Sequence, residues 1–149
     1  MIRVQTDDFD IGAEVAALTD GRTDIGAVVT FSGLVRDASA GARVTSMELE
    51  HYPGMTEKEL ARIEAEAHDR WPLQATLIVH RVGKLTPGDN IVLVVAASAH
   101  REAAFEAASF LRDYLKTRAP FWKREEGEGT AHWVDARASD DKAATRWKR

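Results

Sequence analysis

Residues 116–125, Lys-Thr-Arg-Ala-Pro-Phe-Trp-Lys-Arg-Glu, hold the cations Lys116, Arg118, Lys123 and Arg124 together with two aromatic rings and a proline. Like charges held this close repel one another unless an anion or carboxylates compensate them, so the segment is read as a candidate anion site. A lysine in such company has its charged form disfavoured and becomes able to exchange protons, which an arginine does not do. Lys116 and Lys123 are therefore the candidate acid/base groups, and the arginines the candidate clamps. The blander reading of Lys116 and Arg118 is charge complementarity to a helix C-terminus.

Three further positions carry chemistry of the same kind. Ser98-Ala99-His100-Arg101 follows an apolar run and opens a helical pattern, which brings unpaired backbone N–H groups, an imidazole and a guanidinium together where phosphates bind. The competing account makes Ser98 a cap and His100 a satisfied boundary residue. Arg36 stands just past an expected strand end, either as a phosphate ligand or as a solvated side chain. Phe121 and Trp122 offer stacking surfaces. In a strand, however, Lys123 shares a side with Phe121 and Glu125, while Trp122 shares the other with Arg124, so both rings cannot line one pocket with Lys123.

The elements that must position these residues are legible in the pattern. Residues 2–5 form an expected strand, and Ile11, Val15 and Leu18 recur at helical spacing. Residues 26–31 read as a strand leading to a small, polar and mobile loop at 37–41. Residues 44–52 alternate Met47, Leu49 and His51 against a wet face of Ser46, Glu48 and Glu50. Thr56 and Glu59 match a capping box for a helix with Leu60, Ile63, Ala67 and Trp71 on one stripe, ended by Pro72. Residues 75–82 and 91–97 are strands joined through the turn at 86–89, expected to pair antiparallel. Residues 101–115 form a long helix with Phe105, Ala108, Leu111 and Leu115 inward. Residues 121–126 and 130–135 flank Gly127-Glu128-Gly129 as a hairpin, and from Ala138 the chain reads as a loose polar tail. The expectation is one α+β domain over residues 1–149, mainly antiparallel, with two main helices, a short N-terminal helix and a C-terminal hairpin.

Composition narrows the function classes. The 149 residues suit one domain, and 44% hydrophobic with 30% charged residues is ordinary for a globular chain. Twenty Lys and Arg against 24 Asp and Glu give a net charge of −4, which argues against general adhesion to nucleic acid or membrane. There is no cysteine, so a disulfide, a thiolate metal site, a cysteine nucleophile and a persulfide on this chain are all excluded. If the protein handles sulfur, another molecule brings it. Residues 1–8 lack a signal-peptide core and no apolar run reaches a membrane span, so a cytoplasmic location is expected. The histidines at 51, 68, 80, 100 and 132 show no ligand spacing, and no Walker loop or nucleophile elbow is present; no metal and no cofactor is expected. From residues alone an enzyme acting on an anionic substrate stands beside a single-stranded nucleic-acid binder that stacks bases on Phe121 and Trp122.

With these blocks in hand the chain resembles the MoaE family, the large catalytic subunits of molybdopterin synthase. The likeness runs through Gly26-Ala27-Val28-Val29-Thr30-Phe31-Ser32-Gly33, Leu49-Glu50-His51-Tyr52-Pro53-Gly54-Met55, Arg70-Trp71-Pro72, His80-Arg81-Val82-Gly83, Pro87-Gly88-Asp89, Ser98-Ala99-His100-Arg101 and residues 116–125. The resemblance implies a central homodimer within a heterotetramer, with a small ubiquitin-like sulfur carrier, MoaD-like, docked at each outer end. It implies a sulfurtransferase of molybdenum cofactor biosynthesis. The carrier's C-terminal Gly-Gly thiocarboxylate supplies two sulfurs in succession to cyclic pyranopterin monophosphate, which becomes the molybdopterin dithiolene. By position, Arg36, His100 and Arg101 resemble the family's substrate-binding residues, Lys116 its catalytic lysine, and Lys123, Arg124 and Glu125 its second basic element. The pocket in such proteins draws on both protomers, so that His100 and Arg101 serve the neighbour's Lys116. Leu34 departs from relatives that carry a cation there, which removes any side-chain contact from this position to phosphate.

Overall fold

The computed structural model describes residues 1–39, 41–127, 131–134 and 138–148, with the side chains at 39, 42 and 131–140 left aside. In chain order the elements are β1 (Ile2–Gln5), α1 (Ile11–Thr19), β2 (Ala27–Leu34), β3 (Ala38–Ser39), β4 (Ala42–His51), α2 (Met55–Arg70) and β5 (Leu73–Arg81). They continue with β6 (Gly83–Leu85), β7 (Asn90–Ser98), α3 (Arg101–Thr117), β8 (Phe121–Gly127), β9 (Ala131–Val134) and α4 (Ala138–Thr145). The α+β expectation holds. One sheet runs β1-β5-β7-β2, with only the β1–β5 pair parallel; the other runs β3-β4-β8-β9, with β6 also paired to β4.

The first sheet is covered on both sides, which explains the nearly unbroken apolar runs of β5 and β7. Ile78, Val92 and Val94 point toward α2 and α3, where they meet Leu60, Ile63 and Phe110. Leu77, Val79, Leu93 and Val95 point the other way, onto Phe9 and the apolar stripe of α1. The second sheet buries one face through Val35, Met47, Leu49 and Leu85. On β4, Met47 and Leu49 are buried and Glu48 and Glu50 exposed, as alternation requires. Ser46 departs from its expected wet face: it is buried, and its hydroxyl donates to Glu126 Oε2 at 3.4 Å.

Other expectations are corrected. Helix α2 starts two residues earlier than the Thr56–Glu59 box implies. Gly54 is its N-cap, at φ 87°, a backbone region suited to glycine, and the Gly54 amide donates to Glu57 Oε2 at 3.0 Å. Thr56 is instead fully buried; its Oγ1 accepts from the Tyr52 amide and donates to the Pro120 carbonyl, each at 3.0 Å. Phe105 is exposed, and Phe110 takes the inward aromatic position on α3. The loop expected at 37–41 begins with β3, paired to β4, and residue 40 lies outside the described residues. The β8–β9 hairpin is present, while its turn at 128–130 also lies outside them.

The expected loose tail is a helix. Beyond α4, the Trp147 ring packs edge-on against Trp71 at 5.5 Å and Phe110 at 5.7 Å, and its Nε1 donates to Asp113 Oδ2 at 2.7 Å. Asp113 is buried and also meets Arg112 and Arg146. A buried carboxylate with several charge-assisted partners is a strong anchor, and a sequence scan that sees only a polar stretch misses it.

Candidate functional site

Lys116 and Lys123 are seven positions apart, yet they sit on different elements, α3 and β8. Lys116 occupies the last turn of α3, whose axis lies over the helix-facing side of the first sheet. The helix stops at Arg118, whose amide still bonds the Tyr114 carbonyl at 2.8 Å, because Pro120 cannot continue it. Thr56 then holds the Pro120 carbonyl, and the chain enters β8 at Phe121, paired with His51 of β4. From there alternation directs Phe121, Lys123 and Glu125 inward and Trp122 and Arg124 outward.

His80, near the end of β5, lies beside the start of β8. Its ring is buried and stacks on Phe121, centroids 3.9 Å apart and planes 17° from parallel. Its Nδ1 lies 2.8 Å from the Arg81 carbonyl oxygen, which only accepts, so Nδ1 carries the hydrogen. Burial pushes the His80 pKa from 6.5 down to about 4; the bond to Arg81 opposes this, and the charges of Lys116, Lys123 and His51 add to it. The field of both lysines thus reaches one imidazole. His51 is half-buried near Phe121, ring centroids 6.5 Å apart, with Nε2 3.6 Å from Glu57 Oε1. Glu125 is buried on the Lys123 side of β8, and its Oε2 has no hydrogen-bond partner among the described residues.

The remaining sequence candidates lie elsewhere. Arg118 stacks its guanidinium over Tyr114 at 4.0 Å and meets Glu66 at 3.5 Å, which fits charge pairing at a helix end. Arg124 stands opposite Glu48 in register, 3.6 Å from Glu126, on the face away from Lys123. Trp122 is on that outer face too, edge-on to Tyr52 at 4.6 Å with Nε1 donating to Glu50 at 3.2 Å. Phe121 and Trp122 therefore cannot form one stacking platform, which weakens the nucleic-acid reading. His100 and Arg101 are exposed at the start of α3, and at 1.5 Å per residue Arg101 is about 22 Å from Lys116 along the helix. Ser98 is buried, donating to the Pro72 carbonyl at 2.8 Å and accepting from the His100 amide at 3.3 Å, which fixes this corner.

Arg36 is exposed just after a register shift between Gly33 and Leu34, a bulge that re-aims the strand end. Its neighbour Val35 is clamped by the β6–β7 turn: the Val35 amide donates to Asp89 O at 2.9 Å, and the Gly88 amide to Val35 O at 2.8 Å. Sequence reasoning gave His80 no role and did not place it beside His51. Each stood within a block that was quoted, but nothing in the local pattern says that β4, β5 and β8 bring both rings to Phe121.

Comparison with known proteins shows the family. A sequence profile described as MoaE protein matches residues 4–118. The molybdopterin synthase catalytic subunit of Mesorhizobium japonicum is 60% identical over 99% of this chain and 92% of its own length. Among solved structures, a molybdopterin biosynthesis MoaE protein from Burkholderia ambifaria matches with TM-score 0.85 and 55% identity, covering 99% of this chain and 97% of that one. Molybdopterin synthase from Staphylococcus aureus matches with TM-score 0.82 and 32% identity, covering 89% and 96% respectively. With a shared fold and sequence likeness along nearly its whole length, the chain belongs to the MoaE family.

Proposed function

We propose that the chain is the catalytic subunit of a molybdopterin synthase, which moves sulfur from the C-terminal thiocarboxylate of a small MoaD-like carrier to cyclic pyranopterin monophosphate. What supports this reading is a pair of lysines on two separate elements, Lys116 in the last turn of α3 and Lys123 on β8, whose charges both act on the buried His80 ring, in a chain of this family. With no cysteine to carry sulfur, the chain needs a donor from outside. Each transfer forms a carbon–sulfur bond on the pterin as a carbon–oxygen bond there breaks, its oxygen leaving on the opened phosphate or as water, and breaks the carbon–sulfur bond at the carrier's terminal glycine, which leaves as a carboxylate with an oxygen from water. Lys116 manages proton or charge movement during attack. Arg36, His100, Arg101 and Lys123 hold phosphate and pterin, with Arg124 and Glu125 completing the second basic element. Preorganised cations of this kind stabilise developing negative charge and the opening of the cyclic phosphate.

Because Arg101 and Lys116 stand about 22 Å apart on one helix, they serve two different sites, and a homodimer supplies each site from both copies. The carriers then dock at the outer ends of a heterotetramer, in the cytoplasm. The test is single-turnover dithiolene formation with thiocarboxylated carrier. Lys116→Ala is expected to lose nearly all activity, and wild-type rates in it would remove the catalytic role; activity in Lys116→Arg alone would support pure electrostatics. Mixing Lys116→Ala with Arg101→Ala chains addresses sharing: a mixed dimer keeps one intact site of two and recovers about half the rate per dimer. Sites confined to one chain give no recovery.

A further inference from the structure

Asp113 is a buried carboxylate that the chemistry above leaves unused, one turn before Lys116 on α3. Its side chain is 4% exposed, and both oxygens are taken. Oδ1 accepts from Arg112 Nε at 3.0 Å and from Nη2 of the same guanidinium at 2.9 Å. Oδ2 accepts from Trp147 Nε1 at 2.7 Å and pairs with Arg146 at 3.2 Å. The two guanidiniums also share the Ser109 hydroxyl, one turn further back on α3. Arg146 in turn lies over the Trp147 ring, 4.6 Å from its centroid. The segment at 138–148 is thus a strap on α3, seated through Ala144 and Trp147 against the core that holds Trp71 and Phe110.

A buried ion network is costly to desolvate, and an apolar side chain of similar volume often holds a fold together as well or better. What forked, charge-assisted hydrogen bonds add is direction, since they accept one rotation and one axial position of the helix that carries them. Tyr114 and Leu115, buried in the same turn, are held by apolar burial, which is not directional. Lys116 is exposed and α3 ends at Arg118, so its backbone belongs to the turn that frays first. Thr117 Oγ1 donates back to the Asp113 carbonyl at 3.1 Å, so the residue anchored by its side chain also closes this turn. We propose that Asp113 is a positioning residue for Lys116: gripped by Arg112, Arg146 and Trp147, it fixes the rotation and order of the last turn of α3 and so aims the ammonium group. This rests on the reading of Lys116 as the reaction's cation. Asp113 acts through the helix, and the strap acts through Asp113.

The experiment compares the intact protein with Asp113→Leu, which removes the charge at similar volume, and Trp147→Phe, which keeps a ring against Trp71 and Phe110 but removes the N–H. Asp113→Leu should melt within about 5 °C of wild type. Its Lys116 and Thr117 amides, bonded in the helix to the carbonyls of Arg112 and Asp113, should exchange hydrogen about tenfold faster, while those of Ala107 and Ala108 keep their rates. With thiocarboxylated carrier and saturating pterin, kcat per folded protein should fall about tenfold or more, with a smaller change in KM. Trp147→Phe should shift both readouts the same way, by about threefold. A merely structural role predicts faster exchange along the whole of α3 and an unchanged kcat per folded protein, and either result overturns the proposal. Should Asp113→Leu fail to fold, wild-type kcat and wild-type exchange in Trp147→Phe would overturn it equally. If Lys116→Ala is inactive while folded Asp113→Leu turns over at the wild-type rate, this inference alone fails. If Lys116→Ala is active, the reading beneath it fails and takes this inference with it, whatever the exchange pattern.

Discussion

Lowering the pH should weaken the fold through His80 by an amount the structure lets one calculate. In the unfolded chain this imidazole takes up a proton at 6.5; in the folded chain, held down chiefly by burial, it does so only at about 4. Between those values the unfolded state binds more protons, so stability falls as pH falls. The contribution is whole above 6.5 and gone by about 4. Each pH unit in that window is worth about 1.4 kcal/mol, so about 2 kcal/mol should be lost by pH 5 and about 3 kcal/mol by pH 4. For a small domain with an m-value of about 1–3 kcal/mol/M, a loss of 2 kcal/mol moves the urea midpoint by about 1 M. The assay is urea unfolding of wild type and His80→Phe at pH 7.5 and pH 5. Groups that titrate in both proteins cancel in the double difference. The variant should lose about 2 kcal/mol less than wild type over this interval. Equal losses in the two proteins would refute the reasoning, since they would mean that His80 protonates alike in the folded and unfolded states.

Thr56→Val should cost about 2 kcal/mol in chemical denaturation, because the Tyr52 amide and the Pro120 carbonyl both lose their buried partner. Trp147→Ala removes an indole wedged against Trp71 and Phe110 and its bond to Asp113, and about 2 kcal/mol of stability with it. Limited proteolysis of that variant should cut near α4 first. Gly26→Ala would place a methyl 2.2 Å from the Ala99 carbonyl oxygen, and the required shift should cost about 1–3 kcal/mol by thermal denaturation. Since Ala99 leads directly into His100 and Arg101, KM for the pterin should rise in the same variant.

Much of this fold was legible because local pattern and tertiary role coincided. The alternation of β4 and the apolar runs of β5 and β7 each had one interpretation that fitted one strand. Where two local readings competed, the tertiary partner decided. A box beginning at Thr56 and a start at Gly54 both place a glutamate three residues on, and the Thr56 hydroxyl was taken by Pro120, sixty-four positions away. On α3 the inward face is rich in alanine, with Ala104 buried and Ala107 and Ala108 packed near Ala96, so Phe105 falls outside a stripe that size alone would assign to it. Trp147 gave no sign in sequence that Asp113 would be buried beneath it. For the site, the split of Phe121 from Trp122 followed from strand geometry alone. The gathering of His51 and His80 about Phe121 did not, since it depends on how strands of the two sheets come together.

The short connector between α3 and β8 makes the spacing of the lysines a ruler. Its slack is taken up by the Arg118 amide on Tyr114, the Phe121 amide on Ala119 and the Pro120 carbonyl on Thr56. One residue inserted there, if it slid β8 along β4, would bring Trp122 to the inward position of Lys123; one residue deleted would bring Arg124. The first change replaces a cation by an indole and the second by a cation that does not give up its proton. Selection on this segment therefore acts on its length as strictly as on its side chains, and length variants between α3 and β8 should be rarer among active proteins than substitutions at Ala119.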